Sequence, residues 1–366
     1  MKRIASLLCG ILALGVLSAF PAGAAEPVLD AFGKPLSSLP WERILCSGSG
    51  CLRLATYLQV QDRAVGVEDI ERRHLPVDPR PYFLAHRELQ KLPLIGEFRG
   101  FTRPELVLAL PRQPQGILKT DPENGTPARK LQEATGIPVL PLKYGNLTGH
   151  RDDIYASLRT LGRATGRQAR AEEVIRFTER TIQDLARRTR NLPPQSQPRC
   201  YVGGVSFRGA HGLLSTETDY PPFVFLGVDN VVTKSGAKGA TRTDVNREDL
   251  LRWNPRVLFV DLSTLGSPAG TSALDDLRSD PLWRDLAAVR EGRVYGVLPY
   301  NWYTQNFECI LANAYFVGKV LFPERFRDVD PRKKADEIFR FFVGKPVFAE
   351  MDRSFQGQAL RRLSLR

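Results

Sequence analysis

"GRQARAEEVIRFTERTIQDLARRTRNL", residues 166–192, sets Ala171, Val174, Ile175, Thr178, Ile182 and Leu185 at helical spacing on one face. A helix of roughly 22 residues would run about 33 Å at a rise of about 1.5 Å per residue. That is long enough to pass from one half of the chain to the other, and far stiffer than a loose linker. The segments on either side share a grammar of alternating strands and helices.

In the first half, "ERILCS" (42–47) reads as a strand that runs through "GSG" into "CLRLATYLQV", a helix with Leu52, Leu54, Ala55 and Leu58 on one face. "RAVGV" (63–67) is another short strand. "PELVLALPRQPQGILK" (104–119) reads as helix, proline break and strand, and "TPARKLQEATGIPVLPL" (126–142) as a helix stopped by Gly136 before a strand. After the proline-rich "NLPPQSQP" (191–198) the pattern begins again. "RCYVGGV" is a strand ending in glycines, and "NREDLLRWNPRVLFVDL" (246–262) repeats the helix–proline–strand phrase. "GRVYGVLP" is a further strand, and "FECILANAYFVGKVLF" (307–322) is an apolar helix. Alternation of this kind implies parallel sheets covered by helices.

The N-terminus reads as a secretory leader over residues 1–25. It has a positive start "MKR", an apolar stretch, and small residues "PAGAA" suited to cleavage near Ala24 or Ala25. Cys9 stands too early in the apolar stretch for a lipoprotein site. The expected location is therefore the periplasm; the competing reading of the same stretch is a retained anchor. The leader takes Lys2 and Arg3 from the 52 basic residues and none of the 40 acids, leaving a surplus of about ten positive charges. Such a surplus favours anionic ligands or surfaces. With no basic run and no recognition motif, nucleic acid is not an expected partner. Four cysteines remain: Cys46, Cys51, Cys200 and Cys309. They permit three pairings in an oxidising compartment. Cys46 with Cys51 is local and leaves Cys200 with Cys309; buried free thiols fit the sequence equally well.

Ligands in open α/β sheets sit outside the carboxyl ends of strands. Three stretches occupy such places. "SGSG", with Ser47, Gly48 and Ser49, offers backbone N–H groups to an oxygen-rich ligand, although it equally suits an N-cap turn. "GGVSFRGAHG" (203–212) carries Gly204, Arg208 and His211, and also reads as a plain surface loop. "PYNWYTQNFE" (299–308) crowds aromatic rings among Asn and Thr. Trp302 and Tyr303, adjacent on an extended segment, point opposite ways, and the interleaved Asn301 suits a wet wall better than a dry core. No G-x-S-x-G elbow, H-E-x-x-H pair or zinc-type cysteine cluster is present, and the four histidines are scattered. No catalytic set, bound metal or cofactor is expected.

The order of these segments resembles the substrate-binding proteins of ABC importers that handle metal chelates. The residues that carry the likeness are "DAFGKPLSSLP" (30–40), "RILCSGSGCLRLATYL", "RAVGVEDIE" (63–71), "PELVLAL", "TGIPVLPL", "NREDLLRWNPRVLFVD", and "VGKVLFPERF" followed by "FFVGKPVF". One departure is "LPRQPQGIL", where that family has a shorter turn. The resemblance implies an α/β fold of two Rossmann-like lobes, residues 26–165 and 193–366, joined by one long helix at 166–192, with a ligand cleft between them. It implies a monomer whose partners are a metal-chelate ligand and a membrane permease, docked through Glu105 and Glu248 at equivalent places in the two lobes. A ferric siderophore is the first expected ligand, then cobalamin or haem. Trp302, Tyr303 and Tyr82 would supply stacking faces, and Arg80 and Arg208 positive charge. The alternatives are an exported α/β enzyme acting on a chelate and a ligand-sensing partner of a membrane receptor.

Overall fold

The computed structural model describes residues 27–75, 77–193, 198–206, 211–233, 242–265 and 272–365. Strand β1 (Ile44–Ser47) leads into α1 (Cys51–Tyr57). Next come β2 (Val67–Glu68), α2 (Pro81–Ala85), β3 (Leu94–Glu97), β4 (Phe101–Thr102) and α3 (Pro104–Leu108). β5 (Gly116–Thr120) follows, and α4 (Ala128–Thr135) is stopped by Gly136 in the left-handed region before β6 (Val139–Leu142). β5 lies between β1 and β6, parallel to both, with Ile44 opposite Gly116. Every residue of β1 and β5 is buried, as a parallel sheet with helices on both faces requires. Position 116 must be glycine, because the Trp41 ring sits 2.3 Å from where a β-carbon would stand. β2, β3 and β4 form a small second sheet.

Two helices, α5 (Arg151–Thr165) and α6 (Gln168–Thr189), link the halves. The second half holds β7 (Cys200–Gly203), β8 (Ser215–Thr216), α7 (Pro221–Leu226), β9 (Thr243–Asp244), α8 (Arg247–Trp253) and β10 (Val257–Asp261). It continues through α9 (Ala273–Ser279), α10 (Ala287–Arg290), β11 (Val294–Val297) and α11 (Phe307–Leu321). It closes with α12 (Pro331–Val343), α13 (Phe348–Ser354) and β12 (Arg361–Arg362). β10 lies between β7 and β11, parallel to both, and β12 adds an antiparallel edge. The α/β expectation therefore holds. The repeated phrase occupies equivalent places: α3 feeds β5 beside β1, and α8 feeds β10 beside β7.

Helix α6 touches both halves. Near its start, Arg170 Nε donates to the Tyr57 carbonyl at 3.0 Å and Phe177 stacks on Phe341 at 3.9 Å between ring centres. Near its end, Asp184 accepts from Tyr315 Oη at 2.9 Å, and Arg188 pairs with Asp184 and Asp328. The two halves are also in contact through this layer. One apolar cluster runs from Ile44 and Leu54 through Leu161, Val174 and Leu185 to Phe259 and Ile310, so the helical layer is a shared core. A smaller cluster, with Leu45, Ile117 and Val139, fills the opposite face of the first sheet. The chain's last helices also cross back: α12 and α13 pack on α2, with Arg87 paired to Glu350 and His86 Nε2 2.9 Å from the Val343 carbonyl oxygen.

The four cysteines are free and buried. Cys51 Sγ donates to the Leu118 carbonyl at 3.3 Å and Cys200 Sγ to that of Pro198 at 3.2 Å. The thiols are thus packing groups of the two sheets: of the two readings left open by the sequence, the structure has buried free thiols and not the Cys46–Cys51 and Cys200–Cys309 pairings.

Candidate functional site

The carboxyl ends of β1 and β7 face the segment 300–305, which follows β11 and precedes α11. This segment is not extended. Asn301 bridges back to Gln305, and Tyr303 and Thr304 adopt φ of +50° and +63°. The turn brings both adjacent rings, Trp302 and Tyr303, to the cleft, where an extended strand would have divided them. The outer rings of "PYNWYTQNFE" go inward: Tyr300 packs on Tyr220, and Phe307 sits in the core.

The turn is held from the first half by a buried arginine. Arg53, on α1, is fully enclosed. Its Nη2 donates to the Trp302 carbonyl at 3.1 Å, and its Nη1 to those of Tyr303 and Gln305 at 3.3 and 3.1 Å and to Tyr144 Oη at 2.8 Å. Tyr144 Oη in turn donates to the Gln305 carbonyl at 2.7 Å. Three carbonyls satisfy most of a guanidinium that burial would otherwise penalise heavily. Gly50 makes the approach possible: a β-carbon there would lie 2.6 Å from Thr304 and closer still to Tyr144. Tyr57 donates to buried Glu308 one turn further along α1.

A second crossing point is Glu68, at the end of β2. Its Oε1 accepts the backbone N–H groups of Gly48 and Gly100 at 2.8 and 2.9 Å, and its Oε2 accepts the Tyr303 hydroxyl. Burial pushes this carboxyl up to about 7, against the lowering effect of the Tyr303 hydrogen bond. Lys119 lies beside it, donating to the Asn124 carbonyl at 2.9 Å.

Above this floor the cleft has two compartments. The first, about 500 Å³, is lined by Ser49, Phe101, Asp121, Asn124 and Thr304. The second, about 340 Å³, is lined by Ile70, Arg73, Leu75, Phe98, Ser206 and Trp302. Arg99, Asn301 and Tyr303 border both. Arg99 has no carboxylate within ion-pair distance among the described residues, and its guanidinium lies over the Phe98 ring at 4.9 Å. Burial raises the Asp121 carboxyl. Asn301 is fixed by a reciprocal pair with Ser206, both bonds 3.0 Å.

Of the residues singled out in the sequence, Ser49, Asn301, Trp302 and Tyr303 line the cleft. Ser47 and Gly48 lie beneath it, buried, with Ser47 Oγ 2.7 Å from Thr102 Oγ1. Arg80 and Tyr82 do not reach it. Both are fully buried, Arg80 between Asp78 and Glu71 at 2.8 and 3.1 Å, and Tyr82 donating to Glu71 at 2.6 Å. Their polar groups are committed to that internal network, so neither offers charge or a stacking face to a ligand. Gly204 is buried at the end of β7 against Asp261 and Ala273. His211 is half-buried, with Nδ1 3.2 Å from Arg242 Nη2. Arg208 lies outside the described residues. Arg53, Glu68 and Arg99 escaped the sequence reading. A lone cation in the otherwise apolar "CLRLATYL" was the available signal for Arg53; Arg99 had none.

Two α/β lobes meeting over such a cleft along a helical backbone define the class of two-lobed solute-binding proteins. The chain belongs to the periplasmic binding protein family: residues 103–300, more than half of it, match the family described as "Periplasmic binding protein". It is similar to an Fe(3+)-citrate-binding protein of Bacillus subtilis, 26% identical over 167 residues, a match that covers 45% of this chain and 48% of that one. It is also similar to a molybdate-binding protein of Haemophilus influenzae, 19% identical over 305 residues, covering 80% and 83%. The solved molybdate-bound structure of that Haemophilus protein aligns with a TM-score of 0.65 at 18% identity, over 88% of this chain and 99% of that one. A triscatecholate siderophore-binding protein of Bacillus subtilis, solved with ferri-bacillibactin, aligns at 0.55 and 17% identity, over 83% and 99%.

Two outcomes follow from the floor. Arg53→Met removes the close donor from the Trp302 and Tyr303 carbonyls and leaves that of Gln305 to Tyr144 Oη alone, each unmet carbonyl costing on the order of 1–3 kcal/mol. Hydrogen exchange should then accelerate in peptides covering 300–306 and stay unchanged in β5; equal protection in both would remove Arg53 from the role of clasp. Glu68 keeps its proton in the folded state after the unfolded chain has lost it, between the ordinary value of 4.5 and about 7. Its stabilisation is therefore complete below about pH 4.5 and lost as pH rises through about 7. Melting temperature should fall from pH 5 to pH 8, and fall less in Glu68→Gln; parallel profiles would contradict this.

Proposed function

We propose that this protein is the exported capture component of an ABC importer for a metal chelate, with a ferric siderophore as the first candidate and cobalamin or haem next. The observation that carries the reading is the cleft. Its two compartments fall within the range of small-molecule sites, about 300–1,000 Å³. Arg99, a cation with no carboxylate partner among the described residues, stands between them, and aromatic rings form part of each wall. Among the described residues no group of three or more His, Cys, Asp and Glu is placed to hold a metal ion. Such a site suits a ligand that arrives with its metal already wrapped and presents anionic oxygen to the protein. The similarity to an Fe(3+)-citrate-binding protein supports the same class.

Delivery requires a surface that a permease reads in both lobes. Glu105 and Glu248 are exposed in the first turns of α3 and α8, the equivalent helices of the two halves. Neither is ion-paired among the described residues. Charges so placed steer encounter and orientation more than they add affinity.

Native mass spectrometry of the purified protein against ferric siderophores, ferric citrate, cobalamin, haem and molybdate should show a 1:1 complex with a ferric chelate. Binding of molybdate alone would overturn the chelate reading. The Glu105→Ala, Glu248→Ala double variant should retain ligand affinity and lose most cellular uptake of that ligand; normal uptake would end the docking assignment.

A further inference from the structure

Three turns of the first lobe wall the first compartment of the cleft. They are residues 47–50 after β1, 98–100 between β3 and β4, and 121–126 after β5. Beneath them stands Lys119, on β5 and fully buried. Its Nζ donates to the Asn124 carbonyl at 2.9 Å and lies 3.4 Å from both Ser47 Oγ and the Gly100 carbonyl oxygen. An ammonium carries three donors and no acceptor. Here three acceptors surround it, one from each turn. Glu68 is the complement: its Oε1 takes the N–H groups of Gly48 and Gly100, from two of the same turns. Burial raises the Glu68 carboxyl to about 7 and lowers the Lys119 ammonium, while each draws the other toward its charged form. The packing around the ammonium is close. A β-carbon on Gly100, at φ of +82°, would lie 2.5 Å from Lys119 Nζ, and one on Gly125 would lie 2.3 Å from the Gly100 carbonyl. The Thr126 N–H donates to that same carbonyl at 2.8 Å.

From this geometry, and resting on the reading that a ligand sits in this cleft, we infer that Lys119 is the positioning residue of the first compartment. Enclosed as it is, it touches no ligand. It fixes where Arg99, Phe101 and Asn124 stand, by tying the turns that carry them to each other and to the end of β1. The shape that a ligand meets there is set by a group below the surface. Methionine fills nearly the same space and ties nothing. Replacing buried charge by apolar volume is often neutral for stability, so the positioning role separates from a merely stabilising one.

The test uses Lys119→Met, alone and together with Glu68→Gln, which removes the charge that Lys119 faces. Hydrogen exchange should accelerate about fivefold, the worth of one lost bond, in peptides covering 98–102 and 121–127. It should stay unchanged at 300–306, which Arg53 holds, and in β10. At about pH 6, where Glu68 keeps its proton, melting temperature should stay within about 3 °C of wild type. Tyr303 and Cys46 face the carboxyl, and Cys51, Asp121 and Glu123 face the ammonium; all are left in place. Without the ammonium the Glu68 carboxyl rises further, so the loss of stability with pH should move above about 7 in Lys119→Met. The double variant should keep the loosened turns and lose that shift. Ferric citrate and ferric 2,3-dihydroxybenzoate serve as binding probes. Whichever binds the wild type should bind Lys119→Met at least about fivefold more weakly. Unchanged exchange in both turns, or undiminished binding, overturns the assignment. So does a lower melting temperature with exchange accelerated evenly across the lobe, which would make Lys119 a stabilising residue only. If the wild type binds neither probe, the chelate reading fails, and the exchange pattern still decides the role of Lys119.

Discussion

A guanidinium buried between two lobes is the constraint on which this architecture turns. Arg53 leaves α1 and meets the carbonyls of residues 302, 303 and 305, which belong to a chain segment some 250 positions away. A buried cation is tolerated only where most of its donors are met, and here both Nη groups are, while Nε has no partner among the described residues. Here the acceptors are backbone carbonyls that a tight turn leaves pointing one way. The arrangement is mutual. The turn needs a donor cluster for carbonyls that no strand or helix satisfies, and the arginine needs a carbonyl cluster. Neither could be buried alone, so the position of Trp302 and Tyr303 is fixed by a residue of the opposite lobe.

That mutual dependence bears on how the molecule moves. In a protein whose lobes hinge freely, the contacts across the floor would have to break with every opening, at a cost set by the desolvated groups left behind. The floor here includes Arg53 on three carbonyls, Tyr57 on Glu308 and Tyr303 on Glu68. The apolar cluster beneath continues without interruption from the first sheet through α6 to the second, and α12 and α13 tie the chain's end to α2. The rim is tied less closely: Arg99, Phe98 and Phe101 lie half-buried or exposed on the loop joining β3 to β4 and on β4 itself.

Most of the scaffold was legible in the sequence, because parallel strands buried on both faces and amphipathic helices follow from short-range periodicity. The helix–proline–strand phrase at 104–119 and again at 246–262 marked the two equivalent central strands, and the spacing of Ala171 to Leu185 marked α6. The small sheet of β2, β3 and β4 was only partly visible, since two of its strands are two residues long and carry no period. The cleft was legible only in part. Arg80 looked like a ligand cation because nothing local announces that Asp78 and Glu71 fold over it. Arg53 looked like one polar residue in an apolar helix, because its partners lie in the other half of the chain. The turn at 303–304 defeated the alternation argument, since positive φ at a Tyr and a Thr is imposed from outside and cannot be read from those residue types.

The strained turn and the unmet indole donor belong to one account. Positive φ at Tyr303 and Thr304 costs free energy that the Arg53 clasp and the Glu68–Tyr303 bond offset. The same turn carries Trp302 to the cleft wall, its N–H buried and without a partner among the described residues. A protein selected for stability alone would have little reason to keep either. A protein whose task is to hold a guest at this place gains from both. A turn already fixed by these bonds leaves little backbone ordering to be done for a guest held beside it. Glu68 sits where this arrangement meets the two glycine turns of the first lobe, at Gly48 and Gly100, so one carboxyl holds loops from both walls of the cleft in register.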